Sequence, residues 1–124
     1  MTAKTYFYDT YALLEILDGN PEYFKFIKDC RMITTRLQIL EMHQSLLRIG
    51  GKRRADKHYD QFVPFCIDIN DETFKEASLF RFNQRKKKLS YIDCIGYVIA
   101  RNMQVPFLTG DKEFEEMEDV EFVK

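Results

Sequence analysis

Four carboxylates stand far apart in this chain, each just after, or on the helix just after, a short apolar run. Asp9 follows Tyr6-Phe7-Tyr8, Glu41 lies in a helix after Met32-Ile33, Asp93 opens an apolar helix, and Asp111 follows Phe107-Leu108-Thr109-Gly110. The ends of strands are where an α/β sheet presents side chains to a ligand crevice. Four acids gathered there repel one another unless a divalent cation neutralises them. The pattern predicts a metal centre built from oxygen ligands, with phosphodiester cleavage as its chemistry. Such donors suit Mg2+ or Mn2+, ions held by a few carboxylates and several waters. A cation bound there lowers the pKa of its water and yields a hydroxide nucleophile near neutral pH.

Each acid also has an ordinary structural reading. Asp9 suits the cap of the next helix, and with Tyr at position 11 it lacks the Asp-x-Asp pair of aspartyl-phosphate enzymes. Glu41 falls opposite the arc of Ile39, Leu40, Met42, Leu46, Leu47 and Ile49, where a solvated pair with Arg48 is the alternative to a crevice. His43 points into that arc and reads as a packing or interface histidine. Asp93 sits on a helix apolar nearly all round, so it must be paired, capped or bound to metal. Ser90, three residues earlier, makes a capping box with Asp in place of the usual Glu or Gln. Gly96 and Ala100 on its face allow another backbone to approach closely. Asp111 suits the cap of a short helix reaching Met117, with Gly110 supplying a sharp turn and Thr109 placed to bond a carboxylate or a metal-bound water. Glu115 and Glu116 read as a solvated face, with a peripheral ligand as the alternative.

The elements that must position these acids alternate. Short β-prone runs predict strands at residues 5–9, 31–34, 65–69, 105–109 and 120–123. Helices are expected at residues 11–17, at 21–30 (capped by Asn20 with Pro21 first), and to about 49 after a Thr34 or Thr35 cap. Gly50-Gly51 should end that third helix, with further helices at 53–62, from Asn70 or Asp71 through Phe80, and at 91–103. Alternation of this kind argues a parallel sheet covered on both faces. No repeat, low-complexity segment or linker divides residues 1–124, which read as a single domain.

The net charge of −1 hides strong segregation. Residues 81–88 carry Arg81, Arg85, Lys86, Lys87 and Lys88 and no acid. Residues 48–58 carry five bases against Asp56, and residues 111–124 carry seven acids against Lys112 and Lys124. Local basic patches suit a polyanion, and Arg85–Lys88 just before the Asp93 helix should rim the crevice and grip phosphates. A solvated charge run is the competing reading. Lys52, Arg53 and Arg54 are a second candidate, for RNA or for an acidic partner segment. Cys30, Cys66 and Cys94 lack metal-ligand spacing and read as buried small hydrophobes in a reducing compartment. The first residues run directly into a strand, and no apolar stretch approaches the roughly 20 residues that cross a bilayer. The expectation is a cytoplasmic protein with no membrane association.

Together these segments resemble a PIN-domain nuclease of the VapC toxin type. Tyr6-Phe7-Tyr8-Asp9-Thr10-Tyr11-Ala12-Leu13 is similar to the family's first strand and first acid. Leu89-Ser90-Tyr91-Ile92-Asp93-Cys94 is similar to its Ser-x-x-Asp helix opening, and Phe107 through Phe114 to its last acidic loop. Glu41 sits where the family keeps its glutamate, while Tyr11 departs from the small Ser or Asn more usual there. The resemblance implies a three-layer α/β/α fold around a roughly five-stranded parallel sheet. It also implies a Mg2+- or Mn2+-dependent endoribonuclease that leaves 5′-phosphate and 3′-hydroxyl ends, is often homodimeric, and is blocked by a cognate antitoxin. Asp9, Asp93 and Asp111 are assigned as principal ligands, and Glu41 as a ligand or the group that orients the attacking water. Thr10, Ser90 and Thr109 are assigned as supports.

Two readings of other classes compete. One keeps the fold without catalysis, as an RNA- or protein-binding module. The other is a phosphoacceptor receiver domain using Asp68 or Asp71 after the third strand, which has only the terminal Lys124 to serve as its lysine.

Overall fold

The computed structural model describes residues 3–124. Its strands are β1 (Lys4–Tyr8), β2 (Cys30–Ile33), β3 (Phe107–Thr109) and β4 (Val120–Phe122). The helices are α1 (Thr10–Leu17), α2 (Phe24–Lys28), α3 (Arg36–Phe62), α4 (Asp71–Asn83) and α5 (Tyr91–Asn102), with 3-10 turns at Pro21–Tyr23, Val63–Phe65 and Lys112–Phe114. Every strand pairing is parallel, in the order β2-β1-β3-β4. Parallel neighbours need crossover connections, which the helices supply.

The pleat of β1 divides the core. Tyr6 and Tyr8, with Leu108, face a layer made by α1, α2 and α3 that includes Leu13, Phe26, Ile39, Met42 and Leu46. Phe7 and Phe107 face the opposite way and stack with ring centroids 5.8 Å apart, under Ala77 of α4 and Cys94, Ile95 and Val98 of α5. This is the expected α/β/α layering. Three buried tyrosines keep their hydroxyls bonded: Tyr8 donates to the Phe26 carbonyl, Tyr23 to the Val123 carbonyl, and Tyr97 to the Glu118 carbonyl at 2.7 Å.

The sheet has four strands rather than about five, because residues 65–69 do not form one. Pro64 lacks an N–H and sits in a 3-10 turn closed by Cys66 N–H to the Val63 carbonyl at 3.0 Å. A single parallel bridge, Thr34 with Cys66, remains before Asn70 begins α4. The strand that a receiver-like reading needs before Asp68 is therefore missing. The helix expected at 21–30 is also broken, into a 3-10 turn capped by Asn20 and a short α2. Gly50-Gly51 ends the first limb of α3 as expected: Gly51 adopts φ 84°, ψ 176°, a non-helical conformation suited to glycine, and a second helical limb follows to Phe62. His43 Nε2 and Asp56 Oδ1, 2.7 Å apart, join the two limbs. Cys94 is buried as expected, whereas Cys30 and Cys66 are only half-buried. Among the described residues no helix is long and apolar enough to cross a membrane.

Because β1 lies between β2 and β3, the chain departs from β1 to one side and returns on the other. The carboxyl ends of β1 and β3 therefore border the crevice where open α/β sheets bind ligands.

Candidate metal-dependent active site

Asp9 is the first residue beyond β1 and is only 2% exposed. It holds the N-cap position of α1, yet its side chain does not cap that helix. Instead its Oδ2 accepts the Thr109 hydroxyl at 2.7 Å. Its Oδ1 is buried without any partner, the one such side-chain oxygen or nitrogen among the described residues. An orphaned buried acceptor costs roughly 1–3 kcal/mol, so this oxygen signals a missing ligand.

Thr109 ends β3 and is fully buried. While donating to Asp9, its hydroxyl accepts the Asp111 N–H at 3.1 Å. Asp111 in turn caps the turn Lys112–Phe114 by accepting the Glu113 N–H on Oδ1 at 3.0 Å. The capped turn is shorter than the helix expected to Met117. Gly110 does not need a positive φ; its lack of a side chain matters for what packs against it. A Cβ there would collide with the Tyr11 ring and the Val123 carbonyl. The glycine thus makes room for Tyr11, whose ring lies beside Asp111.

Asp93 enters from α5. Ser90 and Asp93 form a complete capping box, with both hydrogen bonds at 3.0 Å. That box occupies Oδ2 of Asp93 and fixes the carboxylate's direction. Glu41 enters from α3 and accepts the Thr10 hydroxyl on Oε1 at 2.7 Å. No ion pair with Arg48 forms among the described residues. Each of the four acids therefore has one oxygen fixed by the protein. The other has no protein hydrogen bond among the described residues.

The electrostatics place the acids in one neighbourhood. Burial, then the charge of Asp93, raise the Asp9 carboxyl from 3.8 to about 7, with Glu41 adding to the rise and Thr109 opposing it. Asp93 is also raised, first by burial, against its Ser90 hydrogen bonds and with further repulsion from Asp111 and Glu41. Mutual repulsion on this scale is what a bound cation relieves. Among the described residues no three His, Cys, Asp or Glu side chains stand close enough together to hold a metal ion as they are. Oxygen donors that are individually oriented but not closed suit a hard cation that retains much of its water. The donor set and the orphaned Asp9 oxygen both fit Mg2+ or Mn2+.

One residue that aligns the site escaped the sequence reading. Gln38 is fully buried between α3 and α5. Its Nε2 donates to the Ile92 carbonyl at 3.0 Å, and its Oε1 accepts the Thr35 hydroxyl. It lies one turn before Glu41 and grips the residue before Asp93, so it sets those two acids relative to each other. A polar side chain flanked by Leu37 and Ile39 was the available signal. Gly96 lets it in: a Cβ there would stand 2.7 Å from Gln38 Nε2.

The basic residues are placed less uniformly. Arg85, Lys86, Lys87 and Lys88 are all exposed in the connection leading to Ser90. Lys87 Nζ reaches the Glu113 carbonyl at 3.3 Å, beside the Asp111 turn, whereas Arg85 folds onto Phe82. Lys52 pairs with Asp56 beyond the α3 kink, and Arg53 and Arg54 follow it there, away from Glu41. Glu115 and Glu116 are exposed.

Residues 6–120 match the model of the PIN domain family. No curated protein matches the sequence. Among solved structures, Mycobacterium tuberculosis VapC20, described as a sarcin-ricin loop cleaving toxin, is similar with a TM-score of 0.79 at 14% identity, covering 93% of this chain and 96% of that one. A chain of a toxin–antitoxin complex from Klebsiella pneumoniae gives 0.71 at 17% identity, covering 93% and 94%. PAE2754 from Pyrobaculum aerophilum gives 0.71 at 18% identity, covering 99% and 92%.

Proposed function

The chain belongs to the PIN domain family, and from that membership and the geometry above we propose that it is a divalent-metal-dependent endoribonuclease, the toxin of a toxin–antitoxin pair. The observation that carries this reading is the linked set Asp9–Thr109–Asp111, facing Asp93 and Glu41, in which Asp9 keeps one buried oxygen unsatisfied. Asp9, Asp93 and Asp111 would hold Mg2+ or Mn2+ through their unoccupied oxygens, with Glu41 as a further ligand or as the group orienting the attacking water. When bound, the ion supplies charge neutralisation for the phosphate and a lowered pKa for the attacking water.

The remaining work falls to the chain. Thr109 fixes Asp9 and the start of the Asp111 turn at once. Ser90 fixes Asp93, and Thr10 fixes Glu41. Preorganised donors of this kind need not rearrange as charge develops on the phosphate. Lys86, Lys87 and Lys88, with Arg85, supply phosphate contacts at the rim that raise affinity without selecting sequence. No side chain is required as a covalent nucleophile.

Ribonuclease chemistry draws support from the similar Mycobacterium tuberculosis toxin, described as cleaving the sarcin-ricin loop. An antitoxin partner draws support from the Klebsiella pneumoniae complex. Action in the cytoplasm and homodimer formation complete the proposal. They rest on the family likeness and would be read by fractionation and by sedimentation.

The test is cleavage of RNA by purified protein. Mn2+ or Mg2+ should support cutting and EDTA should stop it, while Asp93→Asn and Asp111→Asn should each lose at least about 10²-fold, since metal activation supplies much of the barrier reduction. Variants that cut like wild type would assign the activity to a contaminant. Folded protein that binds RNA but never cuts it would favour the non-catalytic binding module.

A further inference from the structure

The helix start that carries Asp93 also presents an aromatic ring that the core does not use. Tyr91 is the first residue of α5 and is 63% exposed. A single exposed aromatic means little by itself. This one is backed by a fixed cation: the Arg81 guanidinium lies over one face of the ring, 4.1 Å from its centroid. Arg81 cannot swing away freely, because its Nε donates to the Leu89 carbonyl at 2.9 Å. The pair stands two residues from Asp93 and three beyond the exposed cation Lys88.

Resting on the nuclease reading, we propose that Tyr91, backed by Arg81, is a stacking platform for an unpaired nucleobase of the RNA strand being cut. Every base has a π face, and base–aromatic stacking tolerates any sequence. A cation beneath the ring strengthens the platform through the ring quadrupole and adds attraction for the strand's phosphates. Bases inside a duplex are already stacked on one another, so such a ring selects unpaired nucleotides over paired ones. Because Tyr91 shares the first turn of α5 with Asp93, it would seat a nucleotide flanking the scissile bond. The substrate implied is a loop or single strand, chosen for being unpaired more than for its sequence.

The experiment uses short single-stranded RNA carrying 2-aminopurine, whose fluorescence is quenched on stacking, bound to the full chain in EDTA. Wild type should bind with quenching, and Tyr91→Phe should match it. Tyr91→Ala should bind at least about tenfold more weakly and lose the quenching. Lys86→Ala should weaken binding and flatten its salt dependence while quenching remains. In Mn2+, Tyr91→Ala should raise KM about tenfold with kcat nearly unchanged, as expected when ground and transition states lose the same contact. Duplex RNA of the same sequence should show neither quenching nor sensitivity to Tyr91. Quenching and KM unaltered in Tyr91→Ala would overturn the platform even if wild type cuts RNA. Quenching that depends on Tyr91 without any cleavage would sustain the platform and remove the nuclease. Absence of RNA binding by wild type would overturn both.

Discussion

Thr109 and Asp9, 100 positions apart in the sequence, are joined by one buried hydrogen bond of 2.7 Å. The same hydroxyl accepts the Asp111 amide at 3.1 Å, so a single oxygen ties the ends of β1 and β3 together. Thr109→Val keeps the shape and removes that oxygen. The substitution should lower RNA cleavage at least about tenfold and cost roughly 1–3 kcal/mol, because it leaves Asp9 less satisfied in a buried site. Parallel cleavage and denaturant titrations check this; unchanged activity would deny Thr109 its role.

The raised Asp9 carboxyl makes stability depend on pH in a definite direction. Its folded pKa of about 7 lies above the ordinary 3.8, so the folded state binds the proton more tightly. The stabilisation is therefore complete below about pH 4 and is lost as pH rises through 7, to the order of 4 kcal/mol in metal-free protein. Asp93, shifted in the same direction, adds to the slope. Melting in EDTA should show Tm falling between about pH 4 and 7, and Asp9→Asn should flatten much of that fall. Mg2+ should raise Tm more at pH 8 than at pH 5. Equal slopes for wild type and Asp9→Asn would contradict this.

Tyr11 and Gly110 are expected to be energetically coupled. Gly110→Ala drives a methyl into the Tyr11 ring and the Val123 carbonyl, an overpacking that typically costs about 1–3 kcal/mol. In Tyr11→Ser/Gly110→Ala part of that loss should return, leaving only the Val123 contact. A double-mutant cycle by urea denaturation measures it, and strictly additive losses would show that Tyr11 does not set the glycine.

Gln38 should affect metal binding without touching the metal. Gln38→Leu removes its bonds to Ile92 and Thr35 and with them the device that sets Glu41 against Asp93. Weaker Mn2+ affinity together with a stability loss of about 1–3 kcal/mol is expected. A stability loss with metal affinity intact would reduce Gln38 to a packing residue.

These contrasts show what the sequence could and could not disclose. Asp9, Asp93 and Asp111 were legible because each borders a short strand or opens a helix, and position on an α/β sheet follows from that. The Ser90–Asp93 box was legible because capping is local, with all its atoms within four residues. Residues 65–69 looked like a strand by composition, but Pro64 withholds a ladder donor and Asn70 claims the other end for α4. Gly50-Gly51 was legible as a helix stop because Gly51 takes a non-helical conformation that glycine adopts easily, whereas the return of the second limb onto the first through His43 and Asp56 is a tertiary contact. The roles of Gln38 and Gly110 depend on what packs against them from distant segments, which no local pattern carries.

On the proposed reading, side chains from the ends of β1 and β3 and from α3 and α5 jointly hold one divalent cation. Titration of Mn2+ into the protein, followed by the loss of the free-ion electron paramagnetic resonance signal, tests it most directly. Saturable binding at neutral pH that Mg2+ displaces is expected, weakened at least about tenfold by each of Asp9→Asn, Asp93→Asn and Asp111→Asn. Binding that is absent, or indifferent to all three substitutions in folded protein, would contradict it.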